Sequence, residues 1–136
     1  MSQKGIGSFV LSLHRTEILI FLSTVPPEIG AFSFSKEVMD EGDFAQLSCI
    51  VNSGDEPLTL TWAFHGDQVG PETGITTTNL GSRMSILIIS SVAHHHQGKY
   101  TCTAKNDAGI AVRNTELNVN GNFILTHKKE SKKRLQ

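Results

Sequence analysis

Cys49, Trp62 and Cys102 stand at separations that few folds can satisfy, with Tyr100 two residues before the second cysteine. Trp62 follows Cys49 by 13 residues, and Cys102 follows Trp62 by 40. A sandwich of two antiparallel sheets asks for this arrangement: one cysteine on each sheet, an indole packed beside the bridging sulfurs, and enough intervening chain for further strands. With only two cysteines in 136 residues, the simplest accounting is one buried bridge, Cys49 to Cys102, and no free thiol. Such a bridge implies an oxidising compartment. In the chain-entropy picture, closing a loop of this length contributes about 4 kcal/mol. The alternative is an intracellular filament domain whose two cysteines stay reduced as small buried apolar side chains.

Alternation by twos from Cys49 turns Ala45, Leu47 and Val51 inward and predicts a strand over 44–52. After a turn-rich stretch over 52–57, a second strand carries Leu58, Leu60, Trp62 and Phe64 inward and Thr59, Thr61 and Ala63 outward. Further strands are predicted over 75–79 and 84–90, the latter with Leu87 and Ile89 inward and Val92 leading into a corner. Tyr100, Cys102 and Ala104 face inward on the next strand. Asn106-Asp107-Ala108-Gly109 makes the hairpin into a last strand that ends with Leu117 and Val119. Pro26-Pro27 suits an edge strand, because proline cannot donate to a ladder, and 39–42 turns the chain toward the Cys49 strand. The Tyr100 hydroxyl is expected to bond upstream backbone at the turn before its own strand.

Residues 26–120 are thus read as one all-β domain, flanked by an N-terminal tail over 1–25 and a basic, disordered tail over 121–136. The run Ile18-Leu19-Ile20-Phe21-Leu22 makes a weak signal segment, since His14, Arg15 and Glu17 cut it short of a usable apolar region. No stretch approaches the roughly 20 apolar residues that span a bilayer, so no membrane span is expected in this chain. Between 26 and 120 there are 11 acidic residues against 5 basic ones, six excess negatives, whereas Lys128, Lys129, Lys132, Lys133 and Arg134 crowd the end. An acidic domain is a poor match for nucleic acid.

The motifs Leu87-x-Ile89-x-x-Val92, Gly98-x-Tyr100-x-Cys102 and Ala104-x-Asn106-x-Ala108-Gly109 resemble the I-set immunoglobulin module of cell-adhesion receptors. Longer runs narrow the resemblance: Pro26-Pro27-Glu28-Ile29, Phe32-Ser33-Phe34, the stretch from Ser53 to Trp62, and the stretch from His96 to Cys102. They are similar to the variable seventh immunoglobulin domain of the arthropod Down syndrome cell adhesion molecule (Dscam) family and to the first domain of its shortened chelicerate relatives. The resemblance implies an I-set sandwich with an inter-sheet disulfide, with Trp62, Tyr100 and Leu87 as its core signature. It further implies a cell-surface parent protein anchored in the plasma membrane, homophilic recognition between identical domains, and a role in neuronal self-avoidance and axon guidance. His96 departs from the wider immunoglobulin pattern, which has aspartate there, and removes an expected ion pair to Arg83 at the base of the domain.

Nothing in the chain frames a catalytic nucleophile or a phosphate loop, so neither an enzyme nor a cofactor is expected. No Asn-x-Ser/Thr acceptor is present. His94-His95-His96 is the one cluster with ligand character, but neighbouring side chains diverge, and the three read as solvated turn histidines rather than a metal site. The informative surface is the outer face of the sheet that holds Cys49. If Leu87 and Ile89 point inward, Ile86 and Ile88 point outward, and the same alternation turns Ile50 outward. The resemblance assigns homophilic pairing, antiparallel, to this face, with Ile50, Ile86 and Ile88 as apolar contacts and Gln46, Ser48, Thr76 and Thr78 around them. Competing readings are a structural spacer domain, in which no sheet face binds, and an arthropod immune receptor domain on the same scaffold.

Overall fold

A computed structural model describes residues 25–121. The expectations for the N-terminal signal segment and for the basic tail lie outside the described residues.

Eight strands follow in chain order: β1 (Glu28–Ile29), β2 (Ala45–Ser53), β3 (Thr59–Phe64), β4 (Asp67–Gln68), β5 (Ile75–Leu80), β6 (Met84–Ile89), β7 (Gly98–Asn106) and β8 (Gly109–Leu117). They form two four-stranded antiparallel sheets, ordered β1-β2-β6-β5 and β4-β3-β7-β8. Short 3-10 turns at Pro71–Thr73 and His94–His96 lead into β5 and β7. Strand limits differ from the sequence reading by a residue. Thus β2 begins at Ala45 rather than 44, β5 reaches Leu80, and β6 stops at Ile89.

The segment 32–39 crosses from one sheet to the other. Met39 makes a parallel bridge to Val119, donating to the Asn118 carbonyl and accepting from the Asn120 amide, both at 2.8 Å. Residues 39–42 therefore do more than turn the chain: Met39 is fully buried and ties the crossing segment to the exit of β8. Along the crossing, Phe32 meets Trp62 and Phe34 meets Tyr100 edge to face, with ring centroids 5.4 and 5.5 Å apart.

The core is the set that alternation turns inward. Ala45, Leu47, Cys49 and Val51 from β2 and Leu87 and Ile89 from β6 meet Trp62, Tyr100, Cys102, Ala104 and Leu117 from the other sheet. Cys49 and Cys102 join across the gap, and both sulfurs are fully buried. Leu58, Leu60 and Phe64 pack against this core only partly buried, so the margin under β3 is looser than its centre.

Ser85 breaks the apolar pattern. It lies inward on β6, opposite Cys49, and its hydroxyl accepts the Trp62 indole N–H at 3.0 Å. A buried indole donor needs a partner, and no aliphatic side chain supplies one. Asn106 plays the same part at one end of the sandwich. Its amide nitrogen donates to the carbonyls of Val25 and Asp55 at 2.8 and 2.9 Å, while its oxygen accepts from Ala108 and Gly109 in the hairpin turn. At the other end Gly98 adopts φ +146°, with the His65 ring lying where a β-carbon would stand, so only glycine fits there.

Candidate interaction face

The outer surface of the β1-β2-β6-β5 sheet follows from ladder register, because directly opposed residues share a side. Gln46, Ile88 and Thr76 form one row across β2, β6 and β5; Ser48, Ile86 and Thr78 form the next; Ile50, Met84 and Leu80 form the third. All seven residues expected on this face lie in those rows, with Gln46, Ile50, Thr76 and Thr78 exposed and Ser48, Ile86 and Ile88 half-buried. The third row adds Met84 and Leu80, which the sequence reading missed. Leu80 is 52% exposed and Ile50 40%, at the end of the sheet nearest the β5–β6 turn. Both additions were available from the alternation: Met84 precedes Ile86 by two, and Leu80 follows Thr78 by two.

Five of the nine side chains are apolar and none is ionisable. The charges are held at the margins. Glu28 accepts from the Ser53 hydroxyl at 3.0 Å on the β1 side, and Glu56 accepts from Ser82 at 2.7 Å and approaches Arg83 at 3.6 Å beyond the third row. Within the face, Gln46 donates to the Ser48 hydroxyl and Thr76 to the Ile88 carbonyl, each at 3.5 Å. Both bonds lie at the long limit of hydrogen-bond distance and are weak.

The histidine cluster corrects the sequence reading. His94 and His95 are exposed, but His96 is 3% exposed and fully engaged. Its Nδ1 accepts the Ala93 amide at 2.9 Å and its Nε2 donates to the Thr73 carbonyl at 2.8 Å, which fixes the neutral tautomer. Neither ring nitrogen is left for a metal, and among the described residues no group of His, Cys, Asp or Glu side chains gathers as a metal site. Burial holds the His96 pKa below the ordinary histidine value, against an opposing contribution from its bond to Thr73. The Tyr100 hydroxyl donates to the His96 carbonyl at 2.6 Å, the upstream backbone bond expected of it. Arg83 lies at the opposite end of the sandwich, donating to the Gly54 carbonyl at 2.7 Å beside Glu56. His96 therefore did not displace an ion pair with Arg83, since the two positions never meet.

Two bridged sheets, a buried tryptophan between them and a tyrosine tied to its corner define an immunoglobulin domain, and the model of that family matches residues 26–106. The chain belongs to the immunoglobulin domain family, and its curated relatives are cell adhesion molecules. Its homologues are the Dscam proteins. It is 40% identical over 97 residues to cell adhesion molecule Dscam1 of Drosophila melanogaster, covering 71% of this chain and 5% of that protein. It is 42% identical over 84 residues to Dscam2 of the same organism, covering 62% of this chain and 4% of the relative. Among solved structures, the Dscam1 Ig7 domain, isoform 9, superposes with a TM-score of 0.67 at 40% identity, over 70% of this chain and all of that one. The N-terminal eight immunoglobulin domains of DSCAM isoform 1.30.30 superpose at 0.67 and 38% identity, over 71% of this chain and 12% of that one. The chain thus spans about a twentieth of the curated relatives it matches. Among the described residues, no helix is long and apolar enough to cross a membrane.

Proposed function

We propose that this domain is a homophilic recognition module of a cell-surface adhesion receptor acting in neuronal self-recognition and self-avoidance, and that it pairs with an identical copy through the outer face of the β1-β2-β6-β5 sheet. The observation that carries the reading is the nine-residue field itself: an uncharged face, more than half apolar, on a domain with six excess negatives. A spacer domain has no need to clear charge from one sheet. Two copies of an acidic domain repel, and the contact that lets them approach is one that brings no like charges together.

In a two-fold antiparallel pairing, the middle row of Ser48, Ile86 and Thr78 meets itself and the two outer rows meet each other. Ile86 then packs on Ile86, Ile88 on Met84, and Ile50 faces Gln46. A sibling isoform with a charge or a bulkier group in any row mismatches its partner, which gives specificity through unpaired or clashing groups. The disulfide fits an extracellular setting.

Sedimentation equilibrium on the full chain tests this. Ile88→Asp places a charge on β6, the central strand of the field, and is expected to weaken self-association by about thirtyfold or more, about 2 kcal/mol, with the melting temperature nearly unchanged. Equal self-association of the two proteins removes the face from consideration.

A further inference from the structure

The two sheets expose four edge strands, β1, β5, β4 and β8, and three of them are blunted in the ways proteins use to prevent strand addition. β1 is two residues long, carries Glu28, follows Pro26-Pro27 and has a register irregularity. β4 is two residues long and carries Asp67. β8 is long but bears Arg113 and Glu116; Arg113 reaches across to the Ile29 carbonyl at 3.0 Å, and the Met39 bridge covers the chain just past the strand. β5, Ile75-Thr76-Thr77-Thr78-Asn79-Leu80, has none of these devices. It has no charge and no proline, its register to β6 is unbroken, and every residue after Ile75 is exposed.

Alternation points to the same strand. Thr77 and Asn79 occupy inward positions on β5, where a sandwich would bury aliphatics, and the seam beside them stays open. The resulting groove, about 350 Å3, is lined by Leu60, Trp62, Gln68 and Val69 as well as Thr77 and Asn79.

We infer that β5 pairs edge to edge with β5 of a second copy of this chain, antiparallel across a two-fold axis, so that the two β1-β2-β6-β5 sheets join into one sheet of eight strands. Three observations select a second copy. An uncharged strand lets two domains with six excess negatives approach along it. Antiparallel pairing sets like-facing residues opposite each other, which centres the register on Thr77 or Thr78 and lays threonine beside threonine or asparagine, a favourable cross-strand pairing. The groove also has room for the second copy's Thr77 and Asn79, which would enter beside Gln68 with hydroxyl and amide groups to match its amide. This contact is separate from the sheet face of the proposed function and leaves that face open.

Amide hydrogen exchange of the full chain, read residue by residue at micromolar and millimolar concentration, tests it. The β5 amides that point away from β6 should slow by about tenfold or more at high concentration. Face-to-face contact alone leaves those amides in solvent. Thr77→Lys, and independently Asn79→Lys, introduces the inward-pointing lysine that blocks edges, and should restore fast exchange while the cooperative melt is retained. Ile88→Asp should leave the slowing in place, which separates this contact from the face. Fast exchange in the parent chain at every concentration overturns the inference and leaves the edge to another occupant. So does slowing that both lysine variants keep, or that Ile88→Asp alone removes.

Discussion

His96 shows how one side chain can couple a corner of the sandwich to pH. Its Nδ1 lone pair holds the Ala93 amide, so that bond in the turn before β7 depends on a neutral ring, while its backbone carbonyl holds the Tyr100 hydroxyl. Protonation puts a hydrogen on Nδ1 facing the Ala93 N–H and abolishes the acceptor. The folded-state pKa lies below the value of 6.5 that an unfolded histidine keeps. As pH falls through 6.5 the unfolded chain therefore binds the proton first, and stability drains away until the folded pKa is reached. The loss should appear as a fall in melting temperature as pH drops below 6.5. His96→Gln, which keeps an acceptor and cannot titrate, should flatten that window. A parent melting temperature constant from pH 7.5 to 5 sinks this account. Asp43 acts in a different range: Lys36 at 2.7 Å and the Asp40 amide hold its pKa low, so its contribution is lost only below the ordinary carboxylate value. The role of His96 was not legible in the sequence. Three consecutive histidines in a turn read as solvated, and the acceptor that draws the third one inside, the Thr73 carbonyl, comes from 23 residues away.

At the scale of the strand, β6 inverts the usual polarity rule. Its one polar residue, Ser85, is buried, and its outward positions are Met84, Ile86 and Ile88. Hydrophobicity alone gives no period in Met-Ser-Ile-Leu-Ile-Ile. The register became legible only through Leu87, Ile89 and Val92 and through the cysteine that fixes β2 next to it. A strand ending at 79 stops short of Leu80, and the isoleucine pattern of β6 begins two residues after Met84, so neither residue stands out in the sequence. Ser85 belongs inside because Trp62 requires it. Ser85→Ala should cost about 1–3 kcal/mol by leaving the indole N–H without an acceptor in the core. In a Trp62→Phe background, which has no such donor, the same change should be close to neutral. Equal costs in both backgrounds, measured by denaturant unfolding, would mean that Ser85 matters for packing rather than for the bond.

For the whole molecule, the decisive property is where its charge is not. Residues 26–120 hold six excess negatives, yet the three rows across β2, β6 and β5 contain no ionisable side chain. An interface built on opposite charges weakens steeply as salt rises, because screening shortens the reach of charge from about 30 Å at 0.01 M to about 10 Å at 0.1 M. A neutral interface between two like-charged bodies does the reverse: salt screens the repulsion between the margins and leaves the contact untouched. Self-association of the full chain should therefore hold steady or strengthen between low and high sodium chloride. The basic residues Lys128, Lys129, Lys132, Lys133 and Arg134 supply the competing possibility, attraction between this run and the acidic domain of another copy. Replacing those five by serine separates the two. If salt weakens association of the parent but not of the serine variant, the run contributes a contact of its own. If salt weakens both by about tenfold or more, the contact between copies is made of charge pairs, and the uncharged sheet face is not where they meet.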